Sequence, residues 1–161
     1  MLGKLRNMAT IYLMKDGKFL LLYRQGGKVV NDVYTGSAGG HFVESELNDA
    51  KACVLRELEE EISVTADMIS SLTLKYITLR LVNGEIRQNY YFFADLISEP
   101  ASELTSNEGQ LKWVTPNEAL ELDMPFTAKF IVEHYIKSGR YNDKIFGGVA
   151  TADNVIFTEM P

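Results

Sequence analysis

Residues Gly39–Val64 read GGHFVESELNDAKACVLRELEEEISV, and the fold is decided there. Two glycines lead through a short acidic loop into a helical segment with four glutamates between positions 57 and 61. At about 100° per residue two faces separate. Leu47, Val54, Leu58 and Ile62 form one stripe with core-facing spacing. Glu57, Glu60 and Glu61 form another, beside the small side chains of Ala50 and Cys53. Carboxylates three and four residues apart on a helix are neighbours and repel, and near a helix C-terminus the macrodipole opposes them too. Two readings stand: a solvated acidic face, or a seat for a hard divalent cation whose remaining positions go to water and phosphate oxygens. The two glycines ahead of it make either a tight turn or a backbone cradle for phosphate.

Gly40, five residues, Glu46, then Arg56-Glu57-Leu58-Glu59-Glu60-Glu61 and Val64 resembles the signature of the Nudix hydrolases. That signature runs Gly, five residues, Glu, seven residues, Arg-Glu-aliphatic-any-Glu-Glu-any-Gly-aliphatic. Two departures stand out. Nine residues, Leu47 to Leu55, separate Glu46 from Arg56, and Ser63 replaces the glycine. Asn48 or Asp49 as N-cap lets a longer loop or first turn absorb the added length. Glycine after the last catalytic position gives a left-handed helix stop, so Ser63 is expected to cost stability rather than chemistry.

The resemblance implies an α/β fold, a Nudix-type α/β/α sandwich with a mixed β-sheet and a catalytic helix, as one domain over residues 1–161. It implies Mg²⁺, with Mn²⁺ as alternative, held by Glu57, Glu60 and Glu61, with Gly40 letting the backbone approach. Glu57, Glu60 and Arg56 become catalytic, the arginine orienting a glutamate by charge-assisted hydrogen bonds. Gly39, Gly40, Glu44 and Glu46 would meet substrate or act as outer ligands. Arg24, at a strand end, is either a phosphate contact or an exposed charge. The general base is either a glutamate of the box or an acid on a distant loop. Glu108 is the distant-loop candidate, a solvated loop acid being the other reading. His41 has no partner histidine at ligand spacing and reads as structural.

The rest of the chain supplies the frame. Met8–Met14 and Phe19–Tyr23 flank Asp16-Gly17 and read as a hairpin. Residues 25–32 read as a loop, and Tyr34–Phe42 as a short strand and glycine turn. Leu72–Val82 and Glu85–Leu96 flank Asn83-Gly84, a strong hairpin signal, with Tyr76 and Tyr90 to Phe93 as core or sheet-face aromatics. Gln110–Val114 reads as a strand, Thr115-Pro116 as a helix start, Thr127–Ile136 as a helix, and 144–149 with 155–158 as a terminal strand pair.

At 161 residues, 46% apolar and 24% charged, one domain with a sizeable core is expected. The net charge of −6, without any Lys/Arg run, argues against a nucleic-acid partner. A single cysteine, Cys53, excludes an internal disulfide framework. No signal peptide is legible in Met1–Thr10 and no apolar run approaches a membrane span, so a cytoplasmic protein is expected. A homodimer, common in the family, stays open.

Nudix hydrolases cleave a diphosphate linkage in a nucleoside diphosphate joined to another group. No proline occurs between Val64 and Glu99, so the proline that marks ADP-ribose hydrolases after the box is absent. The compact chain and the Trp113 to Phe126 region resemble the MutT-type enzymes, which cleave nucleoside triphosphates such as 8-oxo-dGTP to monophosphate and pyrophosphate and so clean the nucleotide pool. Phe126, Met124 and Trp113 would then line a base pocket, a core place being the commoner one for each. The rivals are an ADP-ribose or nucleotide-sugar pyrophosphatase and a non-catalytic Nudix sensor. Retention of Glu57, Glu60 and Glu61 argues against the sensor.

Overall fold

The computed structural model describes residues 3–27 and 31–161, so part of the expected 25–32 loop lies outside the described residues. Lys4–Lys15 (β1) and Lys18–Arg24 (β2) form the first hairpin. At its turn Asp16 and Gly17 both take positive φ, 51° and 74°, the left-handed pair that matches strand twist. Tyr34–Thr35 (β3) and Ala38–His41 (β4) lead to the helix Ala50–Ile62 (α1). Ile69–Val82 (β5) and Glu85–Leu96 (β6) repeat the hairpin device, with Asn83 and Gly84 at φ 50° and 76°. Gly109–Val114 (β7), Pro116–Glu121 (α2), Phe126–Lys137 (α3), Ile145–Ala150 (β8) and Val155–Met160 (β9) complete the chain.

Among the described residues the nine strands make one mixed sheet, ordered β3-β2-β1-β6-β5-β8-β9, with β4 on β1 and β7 on β2. The pivot is β1. One edge runs parallel to β6 from Lys4 opposite Glu85 to Met14 opposite Asp95. Its other edge forks, Met8–Ile11 pairing with β4 and Leu13–Lys15 with β2. Buried Ser37 fills the fork: its hydroxyl accepts from the Leu13 N–H at 2.8 Å and donates to the Leu20 carbonyl at 2.5 Å.

Alternation along the strands divides the core in two. Ala9, Ile11, Leu13, Leu20, Phe92 and Ala94 face α1 through its Val54, Leu58 and Ile62. Tyr12, Phe19, Leu21, Tyr91 and Phe93 face α3 through its Ile131, Val132 and Tyr135. The α/β/α sandwich implied by the resemblance is the fold observed. Among the described residues no helix is long and apolar enough to cross a membrane.

One detail of the α1 stripes needs correcting. Asp49 is the N-cap, its carboxylate accepting from the Ala52 N–H at 2.9 Å. The two added residues are absorbed before it, in a 3₁₀ turn at Glu44–Glu46 and the bend that follows. Leu47 therefore precedes the helix and is 54% exposed instead of joining the core stripe. Cys53 is fully buried beside Val54 in the core, and its sulfur also borders the glutamate face, 3.9 Å from Arg56 Nη2 and from the Gly40 carbonyl.

Ser63 ends α1 at φ 58°, ψ 29°. Its N–H reaches the Glu59 carbonyl, and the Val64 N–H reaches that of Leu58, the bonding of a left-handed cap that favours glycine. Ser63→Gly is therefore expected to stabilise the fold by about 0.5–1 kcal/mol and to raise Tm by ~1–4 °C at this chain length. Paired thermal melts check it; an unchanged or lower Tm would refute the strain argument.

Candidate active site

Packing the apolar stripe of α1 on the sheet turns its carboxylates toward β4. One Glu61 oxygen accepts from the Gly39 N–H at 3.1 Å. A Cβ on Gly40 would stand 2.3 Å from Glu57 Oε1, so only glycine lets that carboxylate lie against the strand. Arg56 gathers the rest. Its Nε and Nη2 donate to the two oxygens of Glu46 at 2.6 and 3.1 Å, and Nη2 also to the His41 carbonyl at 3.1 Å. Its Nη1 lies 2.9 Å from both Glu57 Oε1 and Glu60 Oε2.

Glu46 is buried at 5% exposure. It accepts from the Val43 N–H at 3.0 Å as well as from Arg56. The Arg56 hydrogen bond, above all, holds its carboxyl down at about 2. Burial pushes Glu57 up, against the pull of Arg56. Burial, then the neighbouring charges of Glu108 and Glu57, push Glu61 up to about 7. Burial raises the Cys53 thiol to about 12, so it is no nucleophile at neutral pH.

The other sequence-derived candidates distribute as follows. Arg24 ends β2 with its guanidinium 3.0 Å from Glu108, and Glu108 is close enough to Glu61 to raise it. Strand pairing brings them together, Gly109 standing opposite Arg24. Glu44 is exposed on the 3₁₀ turn, and Glu60 is 58% exposed. Trp113 packs toward the α1 face and Met124 toward the α3 face. Phe126 lies under the Arg80 guanidinium, 4.4 Å from its ring centre.

A cleft of about 450 Å³ opens on the α3 side of the sheet, reaching Gly39, Gly40 and Glu61 at one wall and Arg24 at another. Its floor holds Thr10, Tyr12, Asn89 and Tyr91, and the start of α3 closes it with Pro125, Thr127 and Ala128. Glu44, Glu46, Glu57, Glu60 and Phe126 are not among its lining residues. Sequence reasoning missed Asn89 and the arginines at positions 6, 80 and 87. Period-two alternation fixes the face of each within its own strand, but nothing local says which strands become neighbours.

The family model for the NUDIX domain matches residues 4–134. The chain belongs to the Nudix family. Solved Nudix-like structures share the fold. A mutator MutT protein from Bacillus halodurans is 21% identical with TM-score 0.66, the match covering 96% of this chain and 97% of that one. The E. coli ORF135 protein is 22% identical over 84% and 91%, TM-score 0.65. A C. elegans Ap4A hydrolase is 18% identical over 81% and 94%, TM-score 0.62. No curated protein sequence gives a significant match. As a Nudix enzyme this is a pyrophosphohydrolase acting on linkages of the nucleoside diphosphate type.

Nudix enzymes generally use divalent metal ions. Among the described residues no three acidic, histidine or cysteine side chains converge as a ligand set; the Arg56 guanidinium stands between Glu57 and Glu60 instead. The donor chemistry nevertheless suits a hard cation. Glu57 and Glu61 are half-buried and both raised, Glu57 by burial and the charges of Glu60 and Glu46, Glu61 by burial and the charges of Glu108 and Glu57, an arrangement a cation relieves. The glycine at position 40 leaves the Glu57 carboxylate room against β4.

A stability test follows from Glu61. Its carboxyl sits at about 7 in the fold, above the ordinary carboxylate range. Its contribution is thus fully present in acid and lost as pH rises through about 7. A cation that compensates the ionised form gains most above that pH. Mg²⁺ should therefore raise Tm clearly at pH 8 and little at pH 5, as calorimetry would show. Equal shifts at the two values would contradict the assignment of cation binding to these carboxylates.

Proposed function

We propose that the protein is a Mg²⁺-dependent nucleoside triphosphate pyrophosphohydrolase that releases nucleoside monophosphate and pyrophosphate, with 8-oxo-dGTP as its leading substrate. The observation that carries this reading is the cleft in which Glu61 of the catalytic helix, Arg24 and an uncharged stretch of floor around Thr10, Tyr12, Asn89 and Tyr91 meet. A triphosphate needs cationic partners for its oxygens. Arg24 supplies one such partner, and the backbone at Gly39 and Gly40 can approach the chain closely. A base needs a flat, largely apolar surface with one amide to read its edge. Tyr12, Leu22, Ala38 and Tyr91 with Asn89 offer that.

Glu57, Glu60 and Glu61 would hold Mg²⁺, which when bound neutralises charge on the phosphates and activates water. Arg56 keeps Glu57 and Glu60 in place, being itself anchored on Glu46. The proton of the attacking water goes either to a glutamate of the box or to Glu108, which is ion-paired with the cleft-lining Arg24.

The test is a ranking of kcat/KM over 8-oxo-dGTP, dGTP, ADP-ribose and UDP-glucose with Mg²⁺. The reading requires the triphosphates to lead and 8-oxo-dGTP to exceed dGTP. Preference for ADP-ribose or UDP-glucose would replace the substrate class, and binding without turnover of any of the four would make the protein a sensor.

A further inference from the structure

Three arginines stand side by side on the cleft floor, along the sheet from the α1 carboxylates. Arg6 on β1 is the direct cross-strand partner of Arg87 on β6, and Arg87 that of Arg80 on β5. All three line the cleft. With strands about 4.8 Å apart, the row is about 10 Å wide. Like charges directly opposite one another destabilise a sheet. One carboxylate answers the row: Glu85 lies 3.3 Å from Arg6 and 2.8 Å from Arg87. Arg80 instead stacks on Phe126. An excess of positive charge remains, in a chain whose net charge is −6. Folding gains nothing from that concentration; an anionic ligand does.

The floor is graded toward this end. Inward of the arginines come Met8, Asn89 and Thr78 in register, then Thr10 and Tyr91, all uncharged. Thr10 is also the partner of Gly39, whose N–H meets Glu61. Arg6 thus lies four residues along β1 from the level of the α1 carboxylates, about 13 Å of backbone. Extended arginine side chains shorten that gap toward the reach of a polyphosphate chain.

We infer that Arg6, Arg80 and Arg87 form a subsite for the distal phosphates of the substrate, the pair that leaves as pyrophosphate. The inference rests on the triphosphate reading above. Guanidinium forks grip phosphate oxygens in pairs. Phe126 holds the Arg80 fork in place before substrate arrives, which lowers the ordering cost of binding. The specificity that results is for a chain of phosphates over a single sugar-linked diphosphate.

Calorimetric titration of the metal-free protein with inorganic tripolyphosphate tests this without turnover. Arg87→Gln should weaken binding at least tenfold, and Glu85→Gln, which removes the one opposing charge, should tighten it severalfold. In the assay, Arg80→Gln should raise KM for the triphosphate while leaving kcat within about twofold. Unchanged tripolyphosphate affinity in a folded Arg87→Gln protein would overturn the subsite, as would weaker binding in Glu85→Gln. If the titrations follow the expected pattern but no triphosphate is hydrolysed, the subsite stands and the proposed activity falls.

Discussion

Glu57→Gln should lower kcat by roughly 10³-fold or more, the loss expected when a carboxylate that neutralises charge in phosphoryl transfer becomes an amide. The side chain is 13% exposed, lies against Gly40 and is fixed by Arg56 at 2.9 Å. Glutamine has nearly the same shape, so fold and nucleotide affinity should survive. Two companions sharpen the test. Gly40→Ala puts a methyl group 2.3 Å from the same carboxylate oxygen and should lose activity by displacing it. Glu59→Gln alters a neighbouring but exposed glutamate and should leave kcat within about twofold. Steady-state kinetics of the three variants decide the matter. A fall in Glu59→Gln equal to that in Glu57→Gln would reduce the helix to a generic acidic patch.

Glu46→Ala should be the most destabilising change at the site, by about 2–4 kcal/mol, or ~4–16 °C in Tm. The buried carboxylate accepts from Val43 and from two nitrogens of Arg56. Alanine leaves those donors without their acceptor and releases the guanidinium that positions Glu57 and Glu60. Acid gives an independent signature. A carboxyl held at about 2 in the fold contributes stability that is present above the ordinary range near 4.5 and lost as pH falls through about 2. Denaturant midpoints should therefore drop below pH 4.5 more steeply for the wild type than for Glu46→Gln. Parallel acid profiles would show that Glu46 is not the anchor of Arg56.

Much of this arrangement was readable from local chemistry. Asp16-Gly17 and Asn83-Gly84 both adopt the left-handed pairs their residue types favour, so both hairpins were legible. Thr115 caps α2 in a reciprocal box with Glu118, as the Thr-Pro start suggested. The helical stripe placed Val54, Leu58 and Ile62 in the core because a repeat of four is a face. Leu47 failed because the same periodicity cannot say where a helix begins when an inserted bend precedes it. Cys53 lies at the boundary between two faces, buried in the core with its sulfur also touching the Arg56 guanidinium.

The cleft was the least legible part. Its floor depends on the parallel pairing of β1 with β6, whose partners Arg6 and Arg87 are far apart in the chain. Alternation shows that each arginine shares a face with its own neighbours two residues away, and only the topology makes the three adjacent. Arg24 and Glu108 illustrate the same point from the other side: each was singled out alone, and the β2–β7 pairing makes them one ion pair beside Glu61.

The central claim is that one cleft joins the catalytic helix to a triphosphate, with water cleaving the linkage between its α- and β-phosphates. Hydrolysis of 8-oxo-dGTP with Mg²⁺, followed by mass analysis of both products, tests it most directly. The account predicts equal amounts of nucleoside monophosphate and pyrophosphate. Release of orthophosphate and nucleoside diphosphate would contradict it.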